Sequence, residues 1–148
     1  MQLSQKSYYA LRALFELARQ GEGPPLPIAR IAEEQAIPAQ FLQTILRELK
    51  QGGFVQSRRG KDGGYRLARR ADEVTVGEVL RFVEGDITPV PCVDGSGAVR
   101  NPERADGPFL AMWQSAARTL NAVFDGVTLA SLVADHRARR AGRGDYVI

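Results

Sequence analysis

The chain has 148 residues, a formal net charge of +3, 44% hydrophobic residues and a single cysteine, Cys92. This is enough apolar material for one domain with an appended element, and it excludes an intrachain disulfide or a metal site built from several cysteines of one chain. The start, MQLSQKSYY, carries no apolar core of a leader, and no apolar run approaches the ~18 residues a bilayer span requires, so a soluble, cytoplasmic protein without membrane partners is expected.

From Leu3 to Gln20, apolar Leu11, Leu14, Phe15, Leu17 and Ala18 recur at helical spacing, and Gly21 stands where a helix stops. The connector GEGPPLP follows, and Pro27, tolerated in a first turn, opens a short second helix ending at Gln35. After the break at Gln35-Ala36-Ile37-Pro38 a third helix is predicted. There Phe41, Leu42, Ile45, Leu46 and Leu49 form one apolar stripe, while Gln40, Gln43, Thr44, Arg47 and Gln51 fall opposite. Amides hydrogen-bond base edges in the major groove and cations meet phosphates, so the outer face has the residue types of a recognition helix in a helix-turn-helix. An ordinary solvated helix uses the same residues, and the context has to decide.

Gly52-Gly53 ends that helix, and Phe54 to Arg58 switches to a strand-like run. The glycines of Arg59-Gly60-Lys61-Asp62-Gly63-Gly64 make a turn, and Tyr65 to Ala68 alternates as a returning strand. A basic-tipped hairpin directly after a helix-turn-helix is a wing. Between Arg47 and Arg70 eight Lys/Arg face only Glu48 and Asp62, a net of +6 that leaves about −3 for the rest of the chain. Positive charge clustered within a near-balanced chain is the footprint of a polyanion site, and the cations include Arg58, Arg59, Lys61, Arg66, Arg69 and Arg70. Thr75-Val-Gly-Glu78 is a capping-box pattern that starts a helix carrying Val76, Val79, Leu80 and Val83 up to Gly85.

Residues 1–85 therefore read as a winged helix-turn-helix DNA-binding domain. Residues 86–107, rich in Pro and Gly, form a connection long enough to be functional, and are read as a sensor-type loop. Pro108 starts a helix in which Leu110, Trp113, Ala117, Leu120 and Phe124 are spaced 3, 4, 3, 4, the rhythm of a helix lying along another helix. Packing on the chain itself would satisfy that stripe, as would a second copy; 108–140 are read as dimerisation helices. Thr128 caps the last short helix, TLASLVADH, and 141–148 are expected to be a flexible tail. The fold class is mainly α with a small β-hairpin wing.

LSQKSYYALRALFELA, IARIAEEQAIPAQFLQTILRELKQGGFVQSRRGKDGGYRLAR, VTVGEVLRFVEG and VTLASLV together resemble the Rrf-type bacterial winged-helix repressors that include IscR, NsrR and CymR. The most specific part is Arg59-Gly60-x-x-Gly63-Gly64-Tyr65 at a fixed distance after the recognition helix. The resemblance implies a homodimer on a partly palindromic operator, joined through the long helix after the loop, with Arg59 entering the minor groove. Two departures matter. Ala36 stands where the turn usually has glycine. Cys92 is alone where cluster-binding members carry three cysteines, so no iron-sulfur cluster or other cofactor is expected, the remaining iron donors being carboxylates such as Asp94, Glu103 and Asp106.

The expected function is sequence-specific transcriptional regulation, most simply repression, by a DNA surface comprising Ala39, Gln40, Gln43, Thr44, Arg47, Arg58, Arg59, Gly60 and Lys61. A winged helix used only for protein contacts is the alternative. No nucleophile, phosphate-binding or metal motif supports an enzyme. Cys92, in a loop expected to be exposed, is either an inert thiol or a redox sensor.

Overall fold

The computed structural model describes residues 1–105 and 107–144. Ser4 caps α1 (Gln5–Gln20) by accepting from the Ser7 N–H, and the helix ends at Gly21, whose φ of 64° a side chain would resist. Helix α2 (Ile28–Gln35) begins directly after Pro27. Its carboxy-terminal end is clamped to α1 by the buried Glu16 carboxylate, which accepts from the Gln35 amide at 2.6 Å and from Arg19 at 3.1 Å.

Between α2 and α3 (Ala39–Gln51), Ala36 adopts the left-handed conformation, with φ 52° and ψ 47°. That turn lets the Ile37 N–H donate to the Ala32 carbonyl at 3.0 Å and points Ile37 into the core. The fold therefore absorbs the strain of a β-carbon in a glycine conformation, about 1–2 kcal/mol. Ala36→Gly should raise stability by about 0.5–1 kcal/mol once the greater freedom of glycine in the unfolded chain is deducted; a denaturant midpoint equal to or below wild type would contradict this account.

Strands β1 (Val55–Arg58) and β2 (Gly64–Leu67) pair antiparallel, with Val55 opposite Leu67 and Arg58 opposite Gly64. The returning strand is anchored near the turn by Leu26, which exchanges backbone hydrogen bonds of 2.9 and 2.8 Å with Tyr65. Helix α4 (Val76–Glu84) opens on the full capping box of Thr75 and Glu78. At its other end the Glu84 carboxylate accepts from the Ser4 N–H and the Ser7 hydroxyl, both at 2.6 Å. These bonds to Ser4 and Ser7 hold the Glu84 carboxyl below the ordinary glutamate range.

Leu14, Leu17, Ile31, Leu42, Leu46, Leu49, Val74 and Val79 form the winged core, joined by Leu129 and Val133 of α6 (Leu129–Gly144). Reciprocal bonds between Thr128 and Ser131 cap α6, and its first N–H groups donate to Val74 and Ala71. The carboxy-terminal helix is thus a structural member of the DNA-binding domain, whereas the sequence places it with the appended helices. It also continues through Arg137 and Arg143, beyond the expected short helix; residues 145–148 of the expected tail lie outside the described residues. Phe41 departs from the stripe assigned to it, being exposed on the side of α3 while Leu42, Ile45, Leu46 and Leu49 are buried.

Helix α5 (Leu110–Asp125) carries the stripe singled out in the sequence. The stripe Leu110, Trp113, Ala117, Leu120 and Phe124 turns toward its own chain. Ala117 is 0% exposed; Leu110 and Trp113 cover Cys92 and Val93, and Leu120 and Phe124 pack on Val76, Leu80 and Ile87. Ala117 is fully buried and the other four are partly buried within the chain, which leaves part of this face open. The loop before α5 is settled. Asp86 accepts from the Gly95 N–H and from Arg100, Gln114 donates to the Gly97 carbonyl at 2.8 Å, and buried Asn121 donates to the Ile87 carbonyl at 2.8 Å. Cys92 is 8% exposed beneath this arrangement, so the expectation of an exposed thiol is wrong.

Candidate nucleic-acid interface

Helix α3 presents Gln40, Gln43, Thr44 and Arg47 to solvent because the apolar residues between them are drawn into the core. The hairpin stands beside this face and is curled by glycines, Gly60 having φ 107°. Together they enclose an open groove of about 510 Å³, whose walls include Gln43, Arg47, Lys50, Ser57, Arg58, Arg59 and Gly60. Ala39, Gln40 and Thr44 continue the same surface at the start of α3, and Lys61 lies at the exposed tip of the wing. All nine residues singled out from the sequence are exposed, although only Gln43, Arg47, Arg58, Arg59 and Gly60 line the groove itself.

Charge decides what this groove can hold. Among the described residues Arg47, Arg58, Arg59 and Lys61 form no ion pair, so their positive charge is available to a ligand. Arg69 and Arg70 differ: Arg69 pairs with Glu78 at 3.3 Å and Arg70 with Asp72 at 2.7 Å. The basic run is therefore less uniform than its composition, with the free cations gathered at the wing tip and on α3.

Lys50 and Ser57 are among the groove residues that escaped the sequence reading. Lys50 donates to the Ser57 hydroxyl at 2.6 Å and ties α3 to β1 across the groove floor. Their positions carried the signal, since Lys50 follows Gln43 and Arg47 along one helix face and Ser57 precedes Arg59 by the two residues of a strand period.

Residues 3–135 match the family model Rrf2, described as an iron-dependent transcriptional regulator. The chain belongs to the Rrf2 family. Within that family it is 32% identical over 147 residues to a helix-turn-helix regulator of Synechocystis named slr0846, covering 99% of this chain and 97% of that one. It is 32% identical to IscR of Escherichia coli O1:K1 over 133 residues, 90% of this chain and 80% of that one. Among solved structures, CymR of Bacillus subtilis superposes with a TM-score of 0.75 at 28% identity, covering 90% of this chain and 97% of its own. This Rrf2 protein is accordingly a DNA-binding transcriptional regulator of the helix-turn-helix type, and its relatives are regulators rather than enzymes. No helix among the described residues is long and apolar enough to cross a membrane.

The iron dependence in the description of the Rrf2 model implies a metal, and the donor set does not fit one. Cys92 is the chain's sole cysteine and is buried by Trp113 and Val93. Asp86 and Asp94 are occupied, the latter by the Ser96 N–H and hydroxyl and the Ala98 N–H. Asp106 lies outside the described residues, and among the described ones no three His, Cys, Asp or Glu side chains converge as a ligand set.

Proposed function

We propose that this Rrf2 protein works as a homodimeric repressor on a partly palindromic operator, without an iron-sulfur cluster. The observation that carries the DNA reading is the exposed row Gln40, Gln43, Thr44 and Arg47 standing beside a wing whose Arg58, Arg59 and Lys61 have no counter-ion among the described residues. The amides suit base edges, Arg47 and Lys61 suit phosphates, and Arg59 suits the narrow minor groove beside the recognition helix. Dimerisation is supported by a second stripe on α5, adjacent to the buried one. Phe109, Met112, Ala116, Thr119 and Val123 repeat the 3, 4, 3, 4 spacing, and Phe109, Met112 and Val123 are 50, 51 and 58% exposed. Small Ala116 and Thr119 in its middle let a second helix approach closely. Burial of Cys92 removes the exposure on which a thiol signal would depend, and the signal is better sought in a ligand or partner of the 86–107 segment.

The test is selection of duplexes from a random-sequence pool by the purified protein. A shared two-fold motif, with affinity falling steeply as salt rises, is expected; no shared motif, or indifference to ionic strength, would end this reading. Single variants should then separate two kinds of contact. Gln43→Ala is expected to cost about 1–3 kcal/mol on the selected site and to relax the preference at one position. Lys61→Ala should weaken all sequences alike and reduce the salt slope by about 1. A uniform loss across sequences for Gln43→Ala would contradict the assignment.

A further inference from the structure

Phe41 has no part in the core. It stands 63% exposed on the first turn of α3, although an aromatic ring of that size is ordinarily covered. Tyr9 of α1 meets it edge-on with ring centroids 6.4 Å apart, which supports one side of the ring and leaves the rest open. One turn further along the helix, the Thr44 hydroxyl donates to the Gln40 carbonyl at 3.4 Å. That bond commits the hydroxyl to the helix and leaves the methyl as the group free for a neighbour. Residues three apart on a helix are neighbours, so a ring and a methyl flank the same shallow step beside Gln40.

We propose that Phe41 and Thr44 form an apolar notch that receives the C5 methyl group of a thymine in the major groove. The notch is continuous with the amide face of Gln40 and Gln43, which makes duplex DNA its occupant. The thymine methyl is the apolar group that a base pair offers on that edge, and it is what distinguishes thymine from cytosine there without a hydrogen bond. An adenine read by a glutamine amide and a thymine read through its methyl are complementary demands, so the half-site should hold A·T pairs under the start of α3. The proposal rests on the operator reading above, and it adds a residue that neither charge nor hydrogen bonding would select.

The experiment uses the duplex recovered by selection, with each thymidine of a half-site replaced singly by deoxyuridine, which removes only the methyl. At one thymine the wild-type protein should lose about fourfold in affinity, the value of one buried methyl. Phe41→Ala should bind the unmodified duplex with the same loss and be indifferent to uracil at that position. Thr44→Val, which keeps a methyl and drops the hydroxyl, should retain the response; Thr44→Ser, which drops the methyl, should blunt it. Because Phe41 is exposed, the thermal unfolding of Phe41→Ala should match wild type, and the uracil scan of the wild-type protein stands without any variant. An enriched site at which no uracil is felt, or at which Phe41→Ala responds as strongly as wild type, overturns the notch alone. A pool that yields no enriched sequence overturns the operator reading and the notch with it.

Discussion

Replacing Met112 and Val123 together by glutamate is expected to leave a folded monomer that has lost about 10²–10⁴-fold in operator affinity, the range by which two linked half-site contacts exceed one. Both side chains are more than half exposed on α5, so the chain itself should lose little stability, within about 0.5 kcal/mol per site as for other surface positions. In the proposed dimer four carboxylates would then face one another across an apolar seam that cannot solvate them, and association would fail. Sedimentation gives the oligomeric state and a binding titration on the selected duplex gives the affinity. A variant that remains dimeric and binds as tightly as wild type places the interface elsewhere. Leu120→Glu would not serve, because Leu120 packs on Val76 and Leu80 within the chain and its loss would disturb the monomer first.

The second large effect is expected from Gly64→Ala, where the wing's returning strand leaves its turn. A β-carbon there would collide with the Leu26 carbonyl and the Pro27 nitrogen, well inside van der Waals contact, and both obstacles are backbone. The two hydrogen bonds that Leu26 exchanges with Tyr65 would have to open, each contributing about 0.5–1.5 kcal/mol, and relieving the overlap adds about 1–3 kcal/mol. The helices draw little on this contact and should remain. The wing, and with it Arg58, Arg59 and Lys61, should leave its position beside α3. The expected result is a lowered urea midpoint with near-native helical circular dichroism and loss of sequence preference. A Gly64→Ala protein that keeps its midpoint and binds the selected site within twofold of wild type would mean that the contact between the wing and Leu26 is free to yield.

Local punctuation made most of the fold legible before any coordinates. Gly21 ends α1, Thr75 and Glu78 cap α4, and the glycines around Gly60 turn the hairpin, because each of these features is decided by residues close in sequence. The face of α5 was not legible. Leu110-Trp113-Ala117-Leu120-Phe124 and Phe109-Met112-Ala116-Thr119-Val123 have the same spacing, and they are displaced by one residue, about 100° around the helix. Periodicity identifies both as apolar but cannot say which one α4 and the preceding loop will cover, since that depends on contacts far away in sequence. Phe41 is illegible for a related reason: it sits at the edge of the α3 stripe, where one residue, about 100° around the helix, separates exposed Phe41 from buried Leu42. Cys92 was read from its Pro and Gly neighbours as surface, yet Trp113 and the bonds of Asp86 and Asn121 close the segment over it.

The return of α6 into the winged core has a mechanical consequence for the operator. The carboxy-terminal half of α5 is tethered to the domain that reads DNA, through Arg81, which reaches Asn121 and Asp125, and through Leu129 and Val133 just beyond it. In the proposed dimer the seam on α5 would therefore be tied closely to each reading head, and the two heads would behave as the jaws of a locked caliper. Each base pair added between half-sites turns one of them by about 34° around the duplex, as a repeat of ~10.5 base pairs requires. A caliper without play would not follow that rotation, and in such a dimer half-site separation would be as much a part of the recognised message as the bases themselves.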